Sequence, residues 1–119
     1  MIVLEDLLRD RGSRYAAAVG PLADRAGIDG FLSTLRARRK FAKATHHSWA
    51  AILPDGTPLK GDDGEAGAGA VILKMLEREG LSGQIVVVTR WYGGVHLGGD
   101  RFAHIVTCTR AALTALRAA

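Results

Sequence analysis

The chain contains one cysteine, Cys108, among its 119 residues. A single thiol can form neither an internal disulfide nor a zinc site built from several cysteines. No apolar run approaches the ~20 residues that a membrane-spanning helix requires. The N-terminal stretch mixes acidic with apolar residues and lacks the layout of a secretory signal peptide. These absences argue against secreted, cysteine–zinc and membrane-spanning classes, and they predict a cytoplasmic protein with no membrane partner.

Internal repeats, low-complexity tracts and linkers are missing too, which predicts one domain over residues 1–119. An apolar content of 48% against 24% charged residues is typical of a folded globular chain. A chain of this length buries roughly two-thirds of its unfolded surface on folding. We therefore expect a single unit with a substantial core.

Acidic residues are outnumbered by basic ones, and the net charge is +4. Much of the excess lies in a basic patch within residues 36–43, which comprises Arg36, Arg39, Lys40 and Lys43. Binding phosphates with such groups releases counterions, so RNA is a candidate partner. The alternative interpretation is a solvated helix face that binds nothing.

Apolar periodicity and turn residues predict the element order β-α-β-β-α-β-α. The run QIVVVTRW is continuously apolar over most of its length, which is typical of a central strand. We expect an α/β chain of the α+β two-layer sandwich type, with a mixed sheet and helices on one face. The predicted strands cover residues 13–19, 47–53, 58–61 and 84–91, and the predicted helices cover 24–40, 67–79 and 100–117.

Three carboxylates stand in the acidic turn GDDGE, at Asp62, Asp63 and Glu65. Carboxylates ahead of a helix are stabilised by its dipole and accept its free N–H groups. They could instead hold Mg²⁺, which prefers oxygen ligands. Their spacing matches no established metal loop, so we favour the capping interpretation and expect no metal and no cofactor.

Two histidines, His46 and His47, stand next to each other at the start of a predicted strand. Neighbouring strand residues point to opposite faces of the sheet, so only one of the two can face a cleft. Beside Lys43, such a histidine could bind an anion or act as an acid–base group. Hydrogen bonding to a neighbouring loop is the alternative.

The stretch TRWYGGVHLGGDRF, residues 89–102, joins a strand end to a glycine-rich loop and the start of a helix. Phosphates often bind where these features meet. Both nucleotide-binding fingerprints are absent, however, and Asp100 at the helix mouth would repel a phosphate. We expect Asp100 to cap its own helix. The cationic candidates here are Arg90, Arg101 and His104, and Cys108 one turn further along is a packing residue.

The segments ATHHSWA, DDGEAGAG and VVVTRWYGGVHLGGDRF, in this order, resemble the IMPACT family of eukaryotic IMPACT and bacterial YigZ-type proteins. The similarity runs from about Gly12 to Leu113, and the DRF sequence makes it closer to the eukaryotic version. The resemblance implies a fold like the second domain of a small-subunit ribosomal protein, with a left-handed βαβ crossover against the usual right-handed rule. It also implies a role beside translation.

The motif positions imply one shared surface without a catalytic assignment. They are His46, Asp62, Asp63, Gly64, Glu65, Arg90, Gly93, Gly94, Leu97, Gly98, Asp100, Arg101 and Phe102. We expect neither the RWD domain of the eukaryotic proteins nor the C-terminal ferredoxin-like domain of the bacterial ones. After the acidic turn, AGAGA replaces the usual Pro/Thr-containing bacterial sequence. Regulation of the starvation-sensing kinase is therefore not carried over.

Three functional hypotheses follow, and we favour the first. The first is a non-enzymatic module associated with translation or its stress control, which contacts RNA, the ribosome or a translation factor through the Lys40–His46 region, Arg90, Arg101 and His104. The second is a scaffold in which Asp63 and Glu65 bond the Arg90–Gly94 loop, and Arg90 or Arg101 neutralises the acids. The third is an enzyme whose acidic turn holds Mg²⁺ or moves protons, while His46, Arg90 and Arg101 grip a phosphorylated substrate.

Overall fold

The computed structural model describes residues 1–119. It contains five strands and four helices. In chain order these are β1 (Ile2–Asp10), β2 (Ser13–Pro21), α1 (Gly27–Arg36), α2 (Arg39–Ala42), β3 (His46–Ile52), β4 (Pro58–Gly61), α3 (Ala68–Arg78), β5 (Gln84–Trp91) and α4 (Asp100–Ala118).

The strands form one sheet in the order β1-β2-β5-β3-β4, and every neighbouring pair is antiparallel. The α+β class is confirmed, but the prediction of a mixed sheet was wrong. The helical connection from β2 to β3 does return the chain in the same direction. β5 then inserts between those two strands, so no parallel ladder forms. The left-handed sense of the crossover stays a prediction.

Helices cover both faces of the sheet, so the prediction of helices on one face was wrong. One core holds α3 and α4 against residues that include Val86 and Val88. The other holds α1 and α2 against residues that include Ile85 and Val87. A central strand that is apolar on both faces must be covered twice, and the unbroken apolar run of β5 already carried that signal.

Cys108 lies in the first of these cores and is fully buried. Burial raises the pKa of its thiol to about 12. Because the thiolate is the reactive form, this residue is a packing group rather than a nucleophile at neutral pH.

Strand β1 was not predicted from the sequence. It lies at the edge of the sheet, antiparallel to β2, and its register shifts between Leu4 and Leu8. Asp6 takes a left-handed φ of 52° inside that irregular segment. The break disturbs the alternation of apolar and polar residues by which a strand is recognised.

The predicted helix over residues 24–40 is two helices. α1 ends at Arg36, and Arg38 adopts an extended conformation before α2 begins at Arg39. The break allows α2 to turn its Phe41 into the core.

No helix of the chain combines the length and the apolar character needed to cross a bilayer.

Candidate functional site

A cavity of about 590 Å³ opens at the C-terminal end of β5. Strand β3, the acidic turn, the glycine-rich loop and the start of α4 all contribute to its walls. We call it the histidine–arginine pocket. Four of the predicted site residues line it, namely His46, Glu65, Arg90 and Arg101. The motif positions Gly64, Leu97, Gly98 and Phe102 line it too, and the remaining lining residues are Thr45, Tyr92, His96 and Gly99.

A buried ion pair forms the floor of the pocket. Arg90 Nη1 donates to Glu65 Oε1 at 2.7 Å, and the two side chains are only 6% and 2% exposed. The other side of the guanidinium donates to Ser13 Oγ from Nε at 3.3 Å and from Nη2 at 3.2 Å. Tyr15 and Tyr92 each place a ring 5.7 Å from the guanidinium carbon. The pair therefore ties the acidic turn to the central strand and neutralises itself.

Asp62 caps α3 from outside the helix. Its Oδ1 accepts the Gly69 N–H at 2.8 Å and its Oδ2 accepts the Gly67 N–H at 3.2 Å. These bonds from Gly67 and Gly69 lower the pKa of the Asp62 carboxyl. Ser48 Oγ also donates to the Asp62 carbonyl at 2.8 Å, which holds the turn against β3.

Asp63 bonds β3 rather than the helix. Its Oδ2 accepts the His47 N–H at 2.6 Å, and its carbonyl accepts a hydrogen from His46 Nδ1 at 2.9 Å. Together with Asp62 and Glu65, it shows that each carboxylate of the turn has a different protein partner. The chain places no three His, Cys, Asp or Glu side chains where they could share a metal ion. The capping interpretation therefore holds for Asp62, whereas Asp63 bonds β3 and Glu65 bonds Arg90.

The two adjacent histidines point to opposite faces, as neighbouring strand residues must. His46 uses Nδ1 on the turn, so its Nε2 is left without a protein partner beside the pocket. His47 is buried on the other face, where Nε2 donates to the Phe41 carbonyl at 3.0 Å and Nδ1 bonds the Thr89 hydroxyl at 2.9 Å. Burial lowers the pKa of His47, which keeps its imidazole neutral at physiological pH.

The cationic side of the pocket comes from Arg101. Its Nη2 donates to the Ala66 carbonyl at 3.2 Å, and its guanidinium lies 4.7 Å from the Phe102 ring centre. It has no salt bridge, unlike Arg90. His96 stands near it on the exposed loop and tilts against Tyr92, with 5.6 Å between ring centres. Sequence reasoning missed His96, although its place between two glycine pairs was a usable signal.

Two further predicted residues, Asp100 and His104, lie outside the pocket and bind the N-terminal hairpin. His104 Nε2 lies 2.7 Å from Asp10 Oδ2, and Arg11 bonds both Asp10 and Asp100. Hydrogen bonds from Arg11 and then His104 lower the pKa of Asp10. The prediction that Asp100 caps α4 was wrong. Gly99 occupies the N-cap position, and the Asp100 carboxylate contacts Arg11 instead.

The glycine pair after β5 shapes the loop without lining the pocket. A Cβ on Gly93 would lie 2.1 Å from the carbonyl carbon of Gly12, so only glycine allows the two backbones to approach. Gly94 has a φ of 90°, a left-handed conformation that side chains disfavour. Gly93 thus holds the loop against the start of β2, where its N–H also donates to Ser13 Oγ at 3.3 Å.

Most of the basic patch surrounds a second, open cavity of about 400 Å³. Arg39, Lys40 and Lys43 line it together with Arg14 and Trp91. Arg36 is exposed but does not line this cavity. Trp91 packs in the core of α1 and α2, whereas its neighbour Arg90 faces the acidic turn. The structure therefore divides the predicted surface into two sites on opposite sides of β5.

Fold and site together define an α+β domain with an aromatic and cationic pocket at one end of an antiparallel sheet. Residues 11–113 match the Impact N-terminal domain. The chain belongs to this family, and the resemblance predicted from its motifs is confirmed.

The relatives extend beyond the region they share with this chain. The Protein IMPACT homolog of Caenorhabditis elegans is 35% identical over 116 residues, which cover 92% of this chain and 45% of that protein. The two-domain translational regulator Yih1 is 35% identical with a TM-score of 0.55, over 88% of this chain and 43% of Yih1. A hypothetical protein known from its crystal structure has the same fold. Its TM-score is 0.79 at 22% identity, and the match covers 94% of this chain and 59% of that protein's chain. The chain thus spans less than half the length of the curated relative.

Proposed function

We propose that the chain is a non-enzymatic binding module associated with translation or its stress control, which contacts RNA, the ribosome or a translation factor. Membership of the Impact N-terminal domain family and the 35% identity with the translational regulator Yih1 support this role. The histidine–arginine pocket is the surface that we assign to the contact.

The observation that carries the proposal is the difference between the floor of the pocket, where the charges are paired, and its rim, where they are not. The floor pair, Glu65 and Arg90, is buried and mutually neutralised. The rim offers Arg101, His96 and the free Nε2 of His46 beside aromatic rings. The unpaired guanidinium of Arg101 at an open cavity suits recognition of a polar, anionic surface.

The enzyme hypothesis lacks comparable support. It requires the acidic turn to present carboxylates to a metal or a substrate proton. Instead Asp62 accepts from helix N–H groups, Asp63 accepts from β3, and Glu65 is bonded to Arg90. A carboxylate that bound a metal or a substrate proton would have to give up its present hydrogen bond, and its protein partner would then be left unpaired.

Co-sedimentation with ribosomes and ribosome-bound factors from the host lysate tests the proposal. We expect the double variant Arg101→Ala, His96→Ala to associate about tenfold more weakly, which corresponds to about 1.4 kcal/mol for the loss of two contacting side chains. Arg110→Ala is the matched control, since this exposed arginine of α4 lies away from the pocket. Equal association of the pocket variant and the wild type would refute the assignment of the pocket.

A further inference from the structure

The second cavity has a composition that the proposed function does not use. We call its lining residues, Arg14, Arg39, Lys40, Lys43 and Trp91, the tryptophan platform. Arg14 and Trp91 are register partners on adjacent antiparallel strands, so their side chains emerge on the same face of the sheet. The other three residues come from α2 and the residue after it.

The backbone beneath the platform is held in place by side chains of the sheet. Trp91 Nε1 donates to the Lys40 carbonyl at 3.1 Å, and His47 Nε2 donates to the Phe41 carbonyl at 3.0 Å. The Phe41 ring meets Trp91 edge to face at 5.2 Å. A four-residue helix gains little stability by itself. These contacts therefore fix the backbone of α2, from which its cationic side chains project.

Positive charge on the platform is largely uncompensated. Lys40 pairs with Glu5 at 3.3 Å and with Asp6 at 3.6 Å, both in β1. Arg14, Arg39 and Lys43 have no carboxylate within salt-bridge distance, and the last two are exposed. Arg14 and Lys40 each lie 5.6 Å from the centre of the Trp91 ring, which stabilises cations over its face. Like charges gathered around one open cavity favour an anionic partner.

We infer that the tryptophan platform binds the phosphate backbone of RNA. Four cations line one open cavity of about 400 Å³, and that number of charges suits a chain of phosphates better than a single compact anion. Trp91 is only 9% exposed, so it supports the cations and does not offer a ring for base stacking. Recognition by this surface is therefore independent of base sequence.

A membrane surface fits the platform less well. Interfacial helices insert apolar side chains below the headgroups, but the apolar residue of α2, Phe41, is buried. The exposed large hydrophobic residues are Met1, Tyr92 and Val95, and none lines this cavity. The inference deepens the proposed function by naming RNA as one partner, and it rests on that function only for its biological setting.

Direct titration of the full chain with a fluorescent RNA hairpin, from 50 to 200 mM salt, tests the inference. The key variant is Arg39→Gln, Lys43→Gln, because both side chains are exposed and unpaired. We expect about tenfold weaker binding at low salt. We also expect a log–log salt slope lower by about 2, close to one unit for each phosphate contact. The control Arg78→Gln, Arg110→Gln removes the same charge from exposed positions on α3 and α4 and should retain the wild-type slope.

Three results would overturn the inference. One is undetectable binding of the wild-type chain at 50 mM salt, and another is an equal loss in the two double variants, which would indicate diffuse attraction only. The third is competition by polyglutamate or inorganic phosphate as strong as competition by unlabelled RNA at equal charge. The variants of this titration leave Arg101 and His96 unchanged, and the variants of the co-sedimentation test leave Arg39 and Lys43 unchanged. Failure of the platform would therefore leave the ribosome test of the histidine–arginine pocket untouched, and the reverse also holds.

Discussion

At the scale of single residues, the most important contact for the structure is the buried ion pair between Glu65 and Arg90. Both charges have left water, and the desolvation cost is offset by their bond at 2.7 Å and by the Ser13 hydroxyl. The pair joins a turn to a strand 25 positions away. Glu65 is thus a structural residue first, although it lines the pocket.

Replacing Glu65 with glutamine leaves the Arg90 charge buried without a counter-charge. We expect a loss of about 3 kcal/mol of unfolding free energy, and a fall in melting temperature on the order of 10 °C. Thermal unfolding followed by circular dichroism measures it. Glu77→Gln, at an exposed position of α3, should change the melting temperature little. If Glu65→Gln left it unchanged, the pair would be held for function rather than for stability.

At the scale of elements, α3 shows how a helix lacking a capping side chain at its own N-cap can still be capped. That position is Gly67, with a left-handed φ of 86° and no side-chain cap. Asp62, five residues upstream, accepts the N–H groups of Gly67 and Gly69 instead. A side chain in a preceding turn therefore decides where this helix begins.

Removal of that cap should weaken the start of α3. We expect Asp62→Ala to reduce stability by about 1 kcal/mol, the usual effect of losing a capping oxygen, and Glu77→Ala to serve as control. Urea unfolding gives both values. Since the folded pKa of Asp62 is lowered, its contribution is present above the unfolded pKa of about 3.9 and is lost as pH falls through the folded value. Equal urea midpoints for Asp62→Ala and the control would contradict the capping role.

At the scale of the whole molecule, His47 connects parts of the chain that are distant in sequence. It belongs to β3, bonds Thr89 of β5 and Phe41 of α2, and holds a neutral imidazole in the interior. Burial lowers its pKa, while Arg36, Asp63 and His46 act on it electrostatically with smaller effect. Protonation of this ring would charge the interior between the sheet and α2.

Acidification should therefore destabilise the fold through His47. Because its folded pKa is below the unfolded value of about 6.5, the unfolded chain binds the proton first, and stability declines as pH falls below that value. We expect the melting temperature to fall between pH 7.5 and 5.5. His47→Gln should be less stable at pH 7.5 but show a smaller decline, and His96→Gln should keep the wild-type decline. An identical pH profile for His47→Gln and the wild type would exclude His47 as the titrating group.

The elements that sequence reasoning located well were those with strong local signals. β5 at residues 84–91 and β4 at residues 58–61 have the predicted bounds, because an apolar run and a Pro-Asp-Gly turn determine them locally. The candidate site was predicted in part. His46, Glu65, Arg90 and Arg101 do meet in one pocket, whereas Asp100 and His104 join the N-terminal hairpin. Strand β1 escaped notice because its register shift disturbs the local pattern.

By itself the sequence determined the family, most local elements and the alternation that sends His46 and His47 to opposite faces. Only the tertiary structure decided that β5 lies between β2 and β3, and with it that Arg90 meets the acidic turn while Trp91 supports a separate basic surface. The physical reason is the sequence distance over which each interaction acts. A turn or an apolar run acts between neighbours, whereas the bond from His104 to Asp10 spans 94 positions and depends on how every strand between them pairs.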